Sequence, residues 1–475
     1  MDVVILTEGG KDFGFGHVAR CSSIYQAFMK RNIKPKFLIN GDISVKSILK
    51  EIDFDLFDWL NDISFLNSAD VVVIDSYISS VDLLEEISKK VSIVAFFDDN
   101  NLLDYPRGIV INGLINASSL NYSQDNIKYL LGSRFTPLRD DFWHATKLKI
   151  NDVIESILIT MGGNDLRNLT PRILDLLNNH FPTVNKKIII ADSFENVSEI
   201  ESLKNDFVEL IYSPDSKDML RAMSSVDLAI SASGQTLYEL ASVGVPTIAI
   251  GIIDNQKDNI QNWQKVGFIE YAGCWNNDDL LDIILDKIEL LKDNDIRHDK
   301  KLKGIQAIDG KGSIRIVKEI LYEFYINNSI FREITESDCL KIFEIANDDD
   351  VRNNSFNSEK IELEDHKNWF RNMLQEDSTK FFVLEYGEDI IGQLRFDFDE
   401  IDPVISISLN KKYRGLGLSK YLLSKGMDYL DDYDNIIAYI KKENFKSISF
   451  FKAMGFKKDS EVIINDCNAF KFIKG

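Results

Sequence analysis

The sequence predicts a chain of the α/β class, with two parallel, doubly wound sheets in succession and a smaller α+β domain behind them. Three observations carry this expectation. Short β-branched runs alternate with amphipathic helical stretches through the first two thirds of the chain, a rhythm that calls for parallel strands joined by helical crossovers. The rhythm changes after the polar triplet Asn327-Asn328-Ser329. The length, 475 residues, corresponds to about three domains at the usual ~150 residues each.

Taken in order, residues 3–7, 35–39, 71–74, 93–97 and 108–111 read as the buried strands of the first sheet. A second series at 156–160, 187–191, 208–210, 227–231 and 247–250 builds a sheet of similar size, and both are Rossmann-like. A helix ending around Phe324 precedes the polar triplet. Beyond it come a strand from Phe331, helices around Ile342 and Trp369, an antiparallel pair at 381–385 and 390–398, and a strand at 404–409. A helix from Ser419, a strand at 436–440 and a last helix and strand complete the chain. Domains are expected at residues 1–148, 149–327 and 328–475.

Composition excludes several function classes. With 55 Lys+Arg against 76 Asp+Glu the formal charge is -21, which opposes binding to nucleic acid or to an anionic membrane face. The opening residues lack a secretory leader pattern and no run approaches the ~20 apolar residues of a membrane span, so a cytoplasmic protein is expected. The four cysteines, Cys21, Cys274, Cys339 and Cys467, are far apart and without histidines at ligand spacing, so neither disulfides nor a metal is expected.

The first strand–loop–helix junction carries Gly14-Phe15-Gly16-His17-Val18-Ala19-Arg20. Glycines there let a ligand approach the carboxyl end of a parallel strand. His17 opens the helix, where the positive end of the macrodipole lowers its pKa and favours the neutral imidazole of a general base; a histidine that only packs and caps fits the position equally. In the second sheet, Met161-Gly162-Gly163-Asn164-Asp165 and Ser231-Ala232-Ser233-Gly234-Gln235-Thr236 follow two strands and present backbone amides to an anion. Glu239 lies one turn into the next helix on the face of Gln235, placed either to accept from ribose hydroxyls or to be a solvated surface carboxylate.

Together with Leu237-Tyr238-Glu239-Leu240 and Asn255-Gln256, these segments resemble the nucleotide-sugar hydrolases of pseudaminic acid biosynthesis, which are similar in fold to GT-B glycosyltransferases. The resemblance covers about the first two thirds of the chain. It implies release of UDP from a 2,4-diacetamido-2,4,6-trideoxy-altropyranose, with His17 as base and Tyr77 and Asn255 positioning sugar or water. It further implies a UDP site made by Ser233, Gly234, Gln235, Thr236 and Glu239, with Gly14, Gly16, Arg20, Gly162, Gly163 and Gln256 also on the substrate side. A nucleoside diphosphate leaves as an anion with a last pKa near ~6, so one base suffices and the carboxylate pair of ordinary glycosidases is not needed. No such pair is evident in the sequence, and direct attack by water inverts the anomeric carbon.

Near the C-terminus, Leu409 ends a strand and Arg414-Gly415-Leu416-Gly417-Leu418-Ser419 opens a helix; Asn444 to Phe456 follows downstream. These segments resemble the two signatures of GNAT-superfamily acetyltransferases, R-x-x-G-x-G/A and N-x-x-S-x-x-x-Y-x-x-x-G-F. Amides from Gly415 to Ser419 would cradle a pyrophosphate and Arg414 would add charge, with glycine at 417 expected to avoid a Cβ clash. The resemblance implies acetyl-CoA as co-substrate, bound by Leu409, Arg414, Gly415, Leu416, Gly417, Leu418, Ser419, Asn444 and Phe451. Two departures stand out. Ser419 replaces the usual Gly/Ala, and Phe451 replaces a tyrosine that in many members protonates the leaving thiolate; Tyr439 or a water is left for that role. The stretch Glu364–Phe370 resembles the acceptor-side helix of the pathway's 4-amino-sugar acetyltransferase, with His366 a packing or substrate-edge residue.

The leading expectation is therefore a bifunctional enzyme acting on a UDP-linked amino-sugar, without metal, nucleic acid or membrane partner. The alternative is a GT-B glycosyltransferase carrying a regulatory acetyl-CoA-binding domain.

Overall fold

The computed structural model describes residues 1–101, 103–145, 149–252, 256–376, 378–398, 402–430, 433 and 435–475. It divides into two compact units, Met1–Ile320 and Leu321–Gly475. The first unit holds two wholly parallel sheets. In one, β1 (Val3–Gly9), β2 (Lys36–Gly41), β3 (Asp55–Leu56), β4 (Val71–Asp75), β5 (Ile93–Phe97), β6 (Gly108–Asn112) and β7 (Ile127–Leu131) lie in the order β3-β2-β1-β4-β5-β6-β7. In the other, β8 (Ser156–Thr160), β9 (Asn185–Ile190), β10 (Val208–Tyr212), β11 (Leu228–Ala232), β12 (Thr247–Gly251) and β13 (Ile269–Cys274) lie in the order β10-β9-β8-β11-β12-β13. Both orders reverse direction beside their first strand, which opens a crevice at the carboxyl ends of β1 and β4 and of β8 and β11.

The inner strands β1, β4, β5, β11 and β12 are buried on both faces, as parallel sheets covered by helices require. All seven residues of β1 are buried. In the second sheet the two-residue period sorts side chains into separate cores: Ile157, Ile159, Ile188, Ile190, Ile230 and Ile248 join one cluster, while Leu158, Ile189, Ala229 and Ala249 join the other. Segments after β6 and β7 pack onto the second core, for Leu138 and Phe142 belong to it.

The second unit is a mixed sheet. Its strands β14 (Ile330–Glu333), β15 (Thr379–Tyr386), β16 (Asp389–Asp397), β17 (Val404–Leu409), β18 (Ile436–Lys441), β19 (Lys457–Ile464) and β20 (Cys467–Lys474) run in the order β14-β15-β16-β17-β18-β20-β19. All neighbours are antiparallel except β17 and β18, which are parallel and pair only at Val404 and Ile437. Beyond that pair the two strands part, leaving a wedge toward Leu409 and Lys441.

The strands expected from sequence are present; β3, β7, β13, the helix Asp349–Asn354 and a separate β19 were not expected. The helix expected to end around Phe324 runs on through both asparagines of the polar triplet, as Gly312–Asn328. The expected boundary at 148/149 touches residue 148, outside the described residues.

A close approach at the edge of the first crevice yields a stability prediction. Gly9 and Gly41 are paired in register on β1 and β2, and a Cβ on Gly41 would fall 1.7 Å from the Gly9 carbonyl oxygen. Gly41→Ala is expected to destabilise the first unit by about 1–3 kcal/mol through backbone displacement, whereas Gly163→Ala, whose Cβ meets nothing within 4 Å, leaves the melting temperature within a degree or two. Equal melting temperatures for the two variants would contradict the register.

Candidate active sites

At the crevice between β1 and β4 the structure builds a buried polar network around His17. The loop after β1 closes on itself through Gly10 N–H to Gly14 carbonyl and Gly14 N–H to Gly10 carbonyl bonds (3.1 and 2.8 Å), and Gly14 takes a left-handed φ of 78°. The helix Gly16–Met29 starts there and points His17 at the end of β4. His17 Nδ1 lies 2.6 Å from Asp75 Oδ1, so Nδ1–H is the donor and, in the neutral ring, Nε2 carries the lone pair. Arg20, one turn on, donates from Nε to Asp75 Oδ2 and from Nη2 to Asp75 Oδ1, both at 2.7 Å. Its Nη1 donates to Asp99 (2.7 and 2.9 Å), and the guanidinium lies over the Phe97 ring. Tyr77 donates its hydroxyl to Asp99 and sets its ring edge-on to His17, centroids 4.5 Å apart. Beneath them Glu8 accepts from the Ser76 hydroxyl and the Tyr77 amide (2.8 and 3.0 Å).

Charge follows geometry. Burial opposes the Asp75 carboxylate, but Arg20 and His17 hold its pKa down at about 2. Burial likewise opposes an imidazolium at His17, yet the Asp75 carboxylate outweighs it and raises the His17 pKa above its ordinary value. This corrects the expectation of a dipole-lowered histidine: a carboxylate in hydrogen-bond contact outweighs the partial charge of a helix end. Burial raises the Glu8 pKa and that of the Tyr77 hydroxyl, which Asp99 pushes further in the same direction.

Arg20 has its Nε and both terminal nitrogens engaged by Asp75 and Asp99. Carboxylates do converge here, contrary to the sequence reading; Asp75, Asp99 and Glu8 come from the ends of three different strands and share no local spacing.

In the second sheet the loops after β8 and β11 stand side by side, since Thr160 and Ser231 are register partners. A Cβ at Gly162, Gly163 or Gly234 would meet nothing within 4 Å, as is also true of Gly14 and Gly16, so these backbones face open space that a ligand can approach. Asp165 turns inward and accepts from the amides of Leu169 and Thr170 (2.9 and 2.8 Å), fixing the next helix. Gln235 is exposed, and Thr236 begins the helix Thr236–Val243, in which the Leu237 and Tyr238 amides bond the Gly234 and Gln235 carbonyls at 3.2 and 3.0 Å.

Some expected ligand groups here have partners within the chain. The Ser233 hydroxyl donates to the Ile250 carbonyl at 2.9 Å and is buried. Gln256 Oε1 accepts from the Ile252 amide at 3.0 Å. Glu239 is buried rather than solvated, and its Oε1 accepts from Arg139 Nη2 at 2.9 Å, a partner from a distant loop that no sequence spacing signals. Asn255 lies outside the described residues.

In the second unit Gly415 and Gly417 take left-handed φ values of 78° and 95°, and Gly417 caps the helix Leu418–Met427. A Cβ at Gly417 would sit 3.6 Å from Tyr322, an ordinary contact. Glycine is therefore needed there for its backbone angle, not to avoid a clash. Leu416 and Leu418 are buried and anchor the turn, leaving Gly415 exposed and Ser419 half-buried. Arg414 donates from Nε to the Leu409 carbonyl (3.0 Å) and from its terminal nitrogens to Asp348 and Asp350 (2.7 and 3.1 Å), so an anion at the turn shares it with two carboxylates. Asn444 caps the helix Phe445–Ala453 by accepting from the Ser447 amide. Phe451 packs between Phe450 and Phe456. The wedge between β17 and β18 opens into a cavity of about 1060 Å³ lined by Ser406, Ser408, Tyr439, Phe451, Trp369 and His366 among others. His366 is buried against Phe343, Trp369 and Phe370, and its Nε2 lies 3.0 Å from the Cys339 carbonyl oxygen.

Residues 329–457 match the family described as an acetyltransferase (GNAT) domain. The chain is similar to an uncharacterized protein of Methanocaldococcus jannaschii, 24% identical with 96% of this chain and 97% of that one covered. It is also similar to a pseudaminic acid cytidylyltransferase and UDP-2,4-diacetamido-2,4,6-trideoxy-beta-L-altropyranose hydrolase of Helicobacter pylori, 26% identical over 57% of this chain and 48% of that one. A third relative is the spore coat polysaccharide biosynthesis protein SpsG of Bacillus subtilis, 24% identical over 68% of this chain and 99% of that one. Among solved structures, the spermidine N-acetyltransferase of Vibrio cholerae is 15% identical, covering 31% of this chain and 95% of that one with a TM-score of 0.29. Among the described residues no helix is long and apolar enough to cross a membrane.

The network fixes the sign of its pH dependence. Because the folded His17 pKa is raised, the stability its imidazolium contributes is present below the ordinary value of 6.5 and is lost as pH rises through the folded value. Asp75 behaves oppositely: its contribution of about 2 kcal/mol is present above 3.8 and is lost as pH falls through about 2. NMR titration is expected to find His17 above 6.5 and to find it lowered in Asp75→Asn. A His17 titrating below 6.5 in the parent protein would contradict the assignment.

Proposed function

We propose that this chain is a bifunctional nucleotide-sugar enzyme of pseudaminic acid biosynthesis. Its GNAT domain acetylates the 4-amino group of a UDP-linked amino-sugar, and its GT-B-like part hydrolyses the sugar–UDP bond with inversion to release UDP and 2,4-diacetamido-2,4,6-trideoxy-altropyranose. The observation that carries the hydrolase reading is the His17–Asp75 pair at the crevice of the first sheet, the arrangement a water-activating base requires. The similarity to the Helicobacter pylori hydrolase supports the substrate class.

Asp75 holds the Nδ1–H of His17, which leaves the Nε2 lone pair for a water proton and stabilises the imidazolium that forms. Tyr77 keeps its phenolic proton on Asp99, so its oxygen can accept from substrate beside the imidazole. The hydroxide-like water adds to the anomeric carbon as the carbon–oxygen bond to UDP breaks on the opposite face. The amides at Gly162–Gly163 and Gly234–Thr236 receive the diphosphate, whose charge feels the helix N-terminus. With such a leaving group no general acid is required.

In the second unit the residues fit coenzyme A. Two left-handed glycines lead into a helix start, where amides can meet a pyrophosphate, and the strands β17 and β18 part beside a cavity of about 1060 Å³. When bound, acetyl-CoA supplies the activated acyl group, and the polar and aromatic lining holds the acceptor amine against it. Acetylation is assigned to the first step, because the UDP group offers binding energy remote from the amine that hydrolysis would remove.

Two outcomes check this reading. His17→Ala is expected to lower the rate of UDP release by ~10²–10⁴-fold with UDP-sugar affinity retained, measured by mass spectrometry and calorimetry; near-normal release would reject His17 as the base. Gly417→Val forces a β-branched residue into a left-handed angle at the cap and is expected to abolish acetyl transfer while UDP release from pre-acetylated substrate stays within twofold. Loss of both activities in a folded protein would contradict separate sites.

A further inference from the structure

Phe451 has no proton to give, so the acyl-transfer site needs another donor for the sulfur that leaves. Among the described residues lining the cavity, the candidates narrow quickly. The single histidine, His366, has its Nε2 on the Cys339 carbonyl oxygen at 3.0 Å, and burial lowers its pKa. Lys441 donates from Nζ to the Asn353 carbonyl at 3.1 Å, and Lys446 is exposed on the first turn of its helix. The hydroxyl of Ser408 accepts from Gln393 at 2.8 Å, and a serine hydroxyl is in any case a far weaker acid than a thiol. One phenol lines the cavity, that of Tyr439.

Its place in the sheet is specific. Ile437 is the last residue of β18 paired to β17, and Tyr439 is the next residue on the same face, where the strands have begun to part. The neighbours Ala438 and Ile440 are buried, whereas Tyr439 is half-buried. A phenolic O–H is a hydrogen-bond donor and a far stronger acid than a serine hydroxyl, so it can deliver a proton to a developing thiolate.

We propose that Tyr439 is the catalytic acid of acetyl transfer, delivering its phenolic proton to the sulfur of coenzyme A; this rests on the acetyltransferase reading above. The neutral amine nitrogen of the acceptor forms a bond to the thioester carbon, and the carbon–sulfur bond breaks with its electron pair on sulfur. That sulfur takes the Tyr439 proton and leaves as the thiol. The nitrogen releases one proton to solvent, and the phenolate regains one from solvent, so the sum is amine plus thioester giving amide plus thiol.

The test uses the full chain with acetyl-CoA and a UDP-linked 4-amino-4,6-dideoxy sugar, following thiol release. Tyr439→Phe is expected to lower kcat by ~10²-fold with the KM for acetyl-CoA within twofold. Adding Phe451→Tyr to that variant places a phenol on the other wall of the same cavity and is expected to recover at least tenfold. Unchanged kcat in Tyr439→Phe, or a loss carried wholly by the KM for the sugar, would overturn the proposal, and so would a double variant no faster than the single one. Failure of the underlying reading looks different: the parent protein itself would release no thiol, and the assignment of Tyr439 would fall with it.

Discussion

The fork of Arg20 between Asp75 and Asp99 is the interaction on which the first site depends. Two carboxylates at neighbouring strand ends repel each other; one guanidinium, bonded to Asp75 through Nε and Nη2 and to Asp99 through Nη1, sits between them and helps keep the fully buried Asp75 ionised. Each aspartate then has a second task. Asp75 orients the imidazole of His17, and Asp99 holds the hydroxyl of Tyr77. Without the fork, burial would favour a protonated Asp75, which neither fixes the tautomer of His17 nor raises its basicity.

The same economy of backbone serves the other sites. Parallel strands end in amides and carbonyls that need partners, and glycine at the turn lets a ligand supply them. Gly14, Gly16, Gly162, Gly163 and Gly234 all face open space. In the second unit the opening is made differently, by a strand pair that meets at one residue pair and then diverges. There the cavity takes its character from side chains on both walls.

Much of this was legible in the sequence because its signals are local. Strand rhythm, the glycine turns and His17 at a helix start lie within short windows, and the position of Phe451 relative to Asn444 is a fixed spacing along one helix. What was not legible depends on register between distant strands. Asp75, Asp99 and Glu8 become neighbours only because β1, β4 and β5 stand side by side, and Arg139 meets Glu239 across a hundred residues. The His17 pKa shifts opposite to the sequence expectation for the same reason: the helix end is visible in sequence, the carboxylate opposite it is not. β19 escaped notice because its Lys457-Lys458-Asp459-Ser460-Glu461 start is an exposed edge with no apolar alternation, and β13 because Glu270 and Gly273 interrupt its apolar run.

The central claim is that water held by His17 and Asp75 attacks the anomeric carbon of a UDP-sugar. Hydrolysis in H₂¹⁸O, followed by proton NMR of the newly released sugar and mass spectrometry of UDP, tests it most directly. The account predicts that the inverted anomer appears first and that UDP carries no label, because the carbon–oxygen bond is the one that breaks. Labelled UDP, or first appearance of the retained anomer, would contradict it.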